Sequence, residues 1–122
     1  MDLTSLRCEA CQPGAPQVTD AEIEELMPQI PEWEIVEVNG IRRLKRTFRV
    51  DGWMPAVRLT NAIAAIADEE DHHPTIRLEW GKVTVQWWTH AIKGLHRNDF
   101  IMAAKTDRAA AAHAQAEAGP AH

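Results

Sequence analysis

WEIVEVNGIRRLKRTFRV, residues Trp33–Val50, sets two strand-like segments on either side of Asn39-Gly40. That pair is the one best able to take the positive φ angles of a tight turn, so the stretch predicts an antiparallel hairpin. In its second half Leu44, Phe48 and Val50 share one parity, while Arg43, Lys45 and Thr47 take the other. Such alternation belongs to a sheet with one face on a core and one in water. The basic residues from Arg42 to Arg49 therefore read as the wet face; a nucleic-acid patch is the competing reading, and the acidic total of the chain argues against it.

Working outward, Asp51 can cap a helix whose first turn tolerates Pro55, and Ala56, Ile63, Ala64, Ile66 and Ala67 supply its apolar stripe up to Asp68. The helix ends in Asp68-Glu69-Glu70-Asp71-His72-His73-Pro74, where Pro74 pushes His73 out of the α region. A second hairpin follows, Thr75 to Glu79 against Lys82 to Thr89 around Trp80-Gly81. Val83, Val85, Trp87 and Thr89 share one of its faces, and Thr84, Gln86, Trp88 and His90 the other. Gly94 breaks the chain before a last helix, in which Phe100, Ile101, Ala104 and Arg108 recur at helical spacing. N-terminal to the first hairpin, Thr19-Asp20-Ala21-Glu22 has the form of a capping box. Ile23, Leu26, Met27 and Ile30 continue that helix until Pro28 and Pro31 close it between Leu26 and Ile30.

The order is α-β-β-α-β-β-α, which predicts an α+β fold: a four-stranded antiparallel sheet covered on one face by helices. At 122 residues the chain makes one domain, able to bury about two-thirds of the surface that its unfolded form exposes. The expected boundaries are a flexible N-terminal segment over 1–18, the domain over 19–108, and a helix end and frayed tail over 109–122. Apolar and charged fractions of 45% and 25% are those of an ordinary globular protein, and a net charge of −5 disfavours nucleic acid as a partner. No apolar run approaches the roughly 18 residues of a membrane span, and the N-terminus lacks the order of a secretory signal, so a cytoplasmic protein is expected. Cys8 and Cys11 stand in a Pro- and Gly-punctuated segment with no second pair to complete a structural zinc site, and read as reduced thiols.

Chemistry is expected at the end of the long helix. Helix C-termini favour cations, yet Asp68, Glu69, Glu70 and Asp71 all sit there, each opposed by the dipole at about 0.3–1 kcal/mol. Dipole and acids alike favour the charged form of a neighbouring imidazole, which suits His72 or His73 to proton transfer near neutral pH. If Thr75 falls opposite Thr89 in the second hairpin, His90 comes beside His73 across the ladder and three imidazoles converge. Such a cluster either holds a zinc ion or works as an acid–base set. Adjacent His72 and His73 would point apart if extended, which suits chelation poorly, whereas acid–base work needs no metal.

These same residues, with Trp88-Thr89-His90 and Gly94-Leu95-His96-Arg97-Asn98-Asp99, resemble the pterin-4a-carbinolamine dehydratase family. The likeness runs from about Thr19 to Thr106, takes in Pro31-Glu32-Trp33 and Gly81-Lys82-Val83, and extends to the Cys8/Cys11 leader of bacterial members associated with phenylalanine hydroxylase. It implies dehydration of 4a-hydroxytetrahydropterin to quinonoid dihydropterin, with His72 and His90 as the acid–base pair and His73 binding the pterin near its 4a-hydroxyl. It further implies substrate contacts from Asp71, Trp88 and Thr89, no cofactor or metal, a homodimer or homotetramer, and a link to an aromatic amino-acid hydroxylase. Asp99 is expected either to orient His90 or only to complement the helix N-terminus. His96-Arg97-Asn98 departs from the family's serine or threonine helix cap, and His96 is expected as an exposed helix-start residue. Relatives of the family also act by binding alone, so a scaffold, coactivator or assembly chaperone of the same fold is the second hypothesis.

Overall fold

Two tight turns generate the sheet. Strands β1 (Glu34–Val38) and β2 (Ile41–Arg49) are joined by Asn39 and Gly40 at φ 53° and 78°, the positive values expected of that pair. Strands β3 (Thr75–Glu79) and β4 (Lys82–Trp87) are joined by Trp80-Gly81, with Gly81 at φ 75°. β2 and β4 pair at the centre, so the four-stranded sheet has the order β1-β2-β4-β3 and is antiparallel throughout. The structure is a computed structural model that describes residues 2–9 and 14–118; Cys11, Gly119 and Pro120 lie outside the described residues.

Helices α1 (Asp20–Leu26), α2 (Trp53–Glu70) and α3 (Arg97–Ala118) complete the expected order. The capping box at Thr19 is formed: its hydroxyl accepts from the Glu22 amide at 3.1 Å, and the Glu22 carboxylate accepts from the Thr19 amide at 2.9 Å. Pro28 lies in a single 3-10 turn, Met27–Gln29, that ends this helical stretch.

Helix α2 departs from expectation at its start and in its stripe. Asp51 is exposed and caps nothing; Gly52, at φ 126°, is the N-cap and no side chain assists it. That φ suits glycine alone, so the chain makes its corner one residue later than an aspartate cap would place it. The buried side is Ala56, Leu59, Ile63 and Ala67, whereas Ala64 is exposed and Ile66 half-buried. Successive helical residues stand about 100° apart, so once Ile63 and Ala67 face the sheet Ala64 faces water.

Leu44 and Phe48 on β2 and Val83, Val85 and Trp87 on β4 point into the core beneath α2 and α3. Arg43, Lys45, Thr47, Thr84 and Gln86 take the opposite, wetter parity, with the paired Thr47 and Thr84 hydroxyls 3.1 Å apart. In α3 every residue from Phe100 to Thr106 is buried, because the helix meets the sheet and α2 as well as a turn of the N-terminal segment, Leu3–Ser5. Leu3 is fully buried and its amide donates to Gln29 Oε1 at 3.0 Å. Residues 2–9 of the expected leader therefore pack on the domain, and α3 continues past Ala109 as far as Ala118. Among the described residues no helix is long and apolar enough to cross a membrane.

The burial difference between neighbouring α2 residues is directly testable. Ile63→Ala should lower unfolding free energy by about 2–5 kcal/mol, while Ala64→Glu should change it by less than about 0.5 kcal/mol. Urea denaturation followed by tryptophan fluorescence reads both.

Candidate active site

The C-terminus of α2 is a Schellman turn. Asp71 adopts the left-handed conformation (φ 51°, ψ 43°), its amide donates to Asp68 O at 3.3 Å, and the His72 amide donates to Ala67 O at 3.1 Å. Aspartate is among the few non-glycine residues that tolerate this geometry, and it turns the chain so that His72 leaves the helix axis. The His72 ring lies on Trp87 with centroids 5.6 Å apart and planes 11° from parallel. Trp87 is itself fixed: its indole N–H donates to Thr106 Oγ1 at 3.1 Å, and that hydroxyl donates to Met102 O at 2.6 Å.

Asp99, in the first turn of α3, holds the other edge of the His72 ring. Its Oδ1 lies 2.6 Å from His72 Nε2, and its Oδ2 accepts from Thr89 Oγ1 and from the His96 amide, each at 2.9 Å. Asp99 is fully buried and only 13% of the His72 side chain is exposed, so the contact is sheltered from water. A carboxylate accepts hydrogen bonds and cannot donate them, so Nε2 carries the hydrogen and the neutral ring keeps its lone pair at Nδ1. Of the two expectations for Asp99, a place at the helix N-terminus agrees with its bond to the His96 amide, while the imidazole it meets is that of His72 rather than His90. His96, half-buried rather than exposed, takes the place of a serine or threonine cap, since its Nδ1 accepts from the Asn98 amide at 3.0 Å.

His90 arrives by a different route from the one expected. Thr75 pairs with Gln86, not Thr89, and β4 ends at Trp87, so His90 has no ladder position beside His73. The two-residue turn pairs Glu79 with Lys82 and draws the register in by three residues. His90 instead opens a short 3-10 turn, His90–Ile92, pinned at its base by Thr89 and Gly94, whose mutual backbone bonds are 2.9 and 3.4 Å. Its ring is exposed and lies 4.6 Å from that of Trp88, which is buried beneath the Arg43 guanidinium at 3.9 Å. Trp88, expected to contact the substrate, touches His90 without itself lining the cavity that His90 borders. His73 is 59% exposed, with Nε2 3.8 Å from Asp68 Oδ1.

His72, His73 and His90 line one open cavity of about 530 Å³, together with Asp71 and Thr89. Among the described residues no group of three or more histidine, cysteine or acidic side chains is arranged to hold a metal ion. A cavity of about 600 Å³ elsewhere is bordered by Arg46, Phe48, Leu59, Asp107 and His113, but Arg46 and Asp107 already pair with each other at 2.7 Å.

Sequence periodicity missed Cys8, Glu9, Glu70 and Asn98, which also line the histidine cavity. The acid run does not act as one unit: the Asp68 side chain is 92% exposed, whereas that of Glu70 is 3% exposed. Glu70 meets Arg7 Nε at 2.8 Å, Lys105 Nζ at 3.5 Å and the Cys8 amide at 2.8 Å. Burial raises its pKa, but the Cys8 amide, Lys105 and Arg7 together outweigh burial and leave the carboxyl below its ordinary range. Burial and the adjoining Glu70 charge push the Cys8 thiol up to about 12.

Fold and site define a class: an α+β protein that presents a carboxylate-anchored imidazole to a cavity bordered by two more imidazoles. The chain belongs to the family described as Pterin 4 alpha carbinolamine dehydratase, whose sequence model matches residues 16–109. A Nitrosococcus oceani protein bearing the name pterin-4-alpha-carbinolamine dehydratase is 55% identical over 107 residues, 88% of this chain and 95% of that one. A Gloeobacter violaceus protein of the same name, numbered 1, is 57% identical over 111 residues, 91% of this chain and 96% of its own. Among solved structures, a transcriptional coactivator/pterin dehydratase from Brucella melitensis superposes with a TM-score of 0.69 at 26% identity, covering 78% of this chain and 99% of that one. A pterin dehydratase-like protein identified as a RuBisCO assembly factor in the α-carboxysome shares the fold, with a TM-score of 0.56 at 20% identity over 65% of this chain and 89% of its own.

The raised Cys8 pKa predicts an inert thiol. At pH 8 about one part in ten thousand is thiolate, against about one in four for an ordinary cysteine. Iodoacetamide should modify Cys8 roughly a thousandfold more slowly in the folded protein than in guanidinium, read by mass spectrometry of the Cys8 peptide; equal rates would contradict this burial.

Proposed function

We propose that this protein dehydrates 4a-hydroxytetrahydropterin to quinonoid dihydropterin, with His72 and His90 as its acid–base pair. The observation that carries the reading is the 2.6 Å contact of His72 Nε2 with buried Asp99, at a cavity that His90 also lines. Dehydration requires one proton to leave N5 of the pterin and another to reach the departing 4a-hydroxyl. His72, whose tautomer Asp99 fixes, takes the N5 proton at Nδ1. His90, exposed and open to water, protonates the hydroxyl, which leaves as water while the N5 electron pair forms the new double bond to C4a. Each transfer is of the kind that contributes about 10²–10⁴ in rate.

His73, Asp71 and Thr89 bind and orient the pterin, and Trp88 acts on the substrate only through the position of His90. The reaction needs no cofactor. The product suits recycling by the reductive step that serves an aromatic amino-acid hydroxylase, in the cytoplasm, and a homo-oligomer covers the free edges of β1 and β3. Catalysis is favoured over a purely scaffolding role because a scaffold has no use for a buried carboxylate committed to orienting an imidazole.

Stopped-flow dehydration of freshly generated 4a-hydroxytetrahydropterin tests the reading. Wild-type protein should accelerate water loss, and His72→Ala and His90→Ala should each lower kcat by about 10²–10⁴-fold with an unchanged circular dichroism spectrum. His73→Ala should act mainly on KM. Variants at His72 and His90 that both retain wild-type turnover would overturn the assignment.

A further inference from the structure

The histidine cavity has a wall that neither the hairpins nor the helices supply: Cys8 and Glu9, from the N-terminal segment, line it together with the three imidazoles. That segment is held residue by residue. The Arg7 guanidinium pairs with Glu70 at 2.8 Å, and the Cys8 amide donates to the same carboxylate at 2.8 Å. The Glu9 amide donates to Asn98 Oδ1 at 3.1 Å, while Asn98 Nδ2 donates back to Glu9 O at 2.7 Å. One carboxamide thus pairs with both backbone groups of one residue, as a neighbouring strand would. Further along the segment, Leu3 is sunk in the core.

Two features point to a role beyond covering the core. Glu70 is a nearly inaccessible carboxylate at a helix C-terminus, where the dipole opposes it and desolvation is costly, so its placement calls for specific partners. Those partners include the segment itself. Moreover, Glu70 stands two residues before His72, and Asn98 directly precedes Asp99, so the clamps and the proposed catalytic pair share the same two helix ends. Displacing the segment alters the cavity without removing an imidazole.

We propose that Cys8 and Glu9 form a substrate-binding wall of the dehydratase cavity, with Asn98 and Glu70 as the positioning residues that hold it there, Glu70 in part through Arg7. The identity of the substrate rests on the function proposed above; the wall rests on its own geometry. Both polar ends of the Asn98 side chain bond Glu9, so substitution of Asn98 acts first on the segment, and the release of the segment reads that effect separately from KM.

The test uses the full chain. Asn98→Ala removes two hydrogen bonds from Glu9 and should raise KM for 4a-hydroxytetrahydropterin about tenfold while kcat changes less than about twofold. The same variant should release residues 1–7 faster on tryptic cleavage after Arg7, followed by mass spectrometry. In wild-type protein, a saturating stable oxidised pterin should slow that release, a measurement that stands even if the variant does not fold. Faster release with an unchanged KM, or pterin that leaves wild-type cleavage unaltered, would overturn the wall. A wild-type protein that shows pterin protection but no turnover would instead overturn the dehydratase reading and leave the wall standing.

Discussion

The Asp99 carboxylate is the constraint on which the site depends. It is fully buried, and a buried anion is tolerable only when its oxygens are satisfied. Thr89, His96 and His72 satisfy them, and these come from the loop after β4, the start of α3 and the turn after α2. Two segments outside α3, 10 and 27 residues away in sequence, are thereby tied to one side chain of its first turn. The polar cluster that closes this end of the fold is also the one that orients His72, so the geometry proposed for proton transfer is held by the same bonds that hold the fold.

Around that anchor each neighbouring element has a local cause. A left-handed Asp71 ends α2 and swings His72 over Trp87, whose indole is satisfied by Thr106 from α3. Because Trp87 is the last residue of β4, the following residues leave the ladder, and the Thr89–Gly94 bridge gathers them into the small turn that presents His90. His72 is consequently fixed on two sides while His90 rests chiefly against Trp88. That asymmetry matches a division of labour in which one imidazole must hold its tautomer and the other must exchange protons with water.

Both hairpins, the capping box and the order of elements were legible in the sequence because each is written in adjacent residues: Asn39-Gly40, Trp80-Gly81, Thr19 with Glu22. Contacts between distant segments were not. Register across β3 and β4 turned on how tightly Trp80-Gly81 closes, so Thr75 meets Gln86 and His90 reaches the cavity through a loop. No local pattern tells that Asp99 faces His72, or that Glu70 pairs with Arg7 and Lys105. One signal for the packed N-terminal segment was present: Phe100 to Ala104 is apolar without interruption, the mark of a helix covered on more than one side. Leu3 and Leu6 supply part of that cover.

In the chemistry proposed here Asp99 fixes the hydrogen of neutral His72 on Nε2 and leaves Nδ1 to exchange protons. Nitrogen-15 NMR of the neutral His72 ring reads this directly. The predicted spectrum has a protonated, pyrrole-like Nε2 and an unprotonated, pyridine-like Nδ1. The reverse pattern, with the hydrogen on Nδ1, would contradict the orientation from which the proposed chemistry is built.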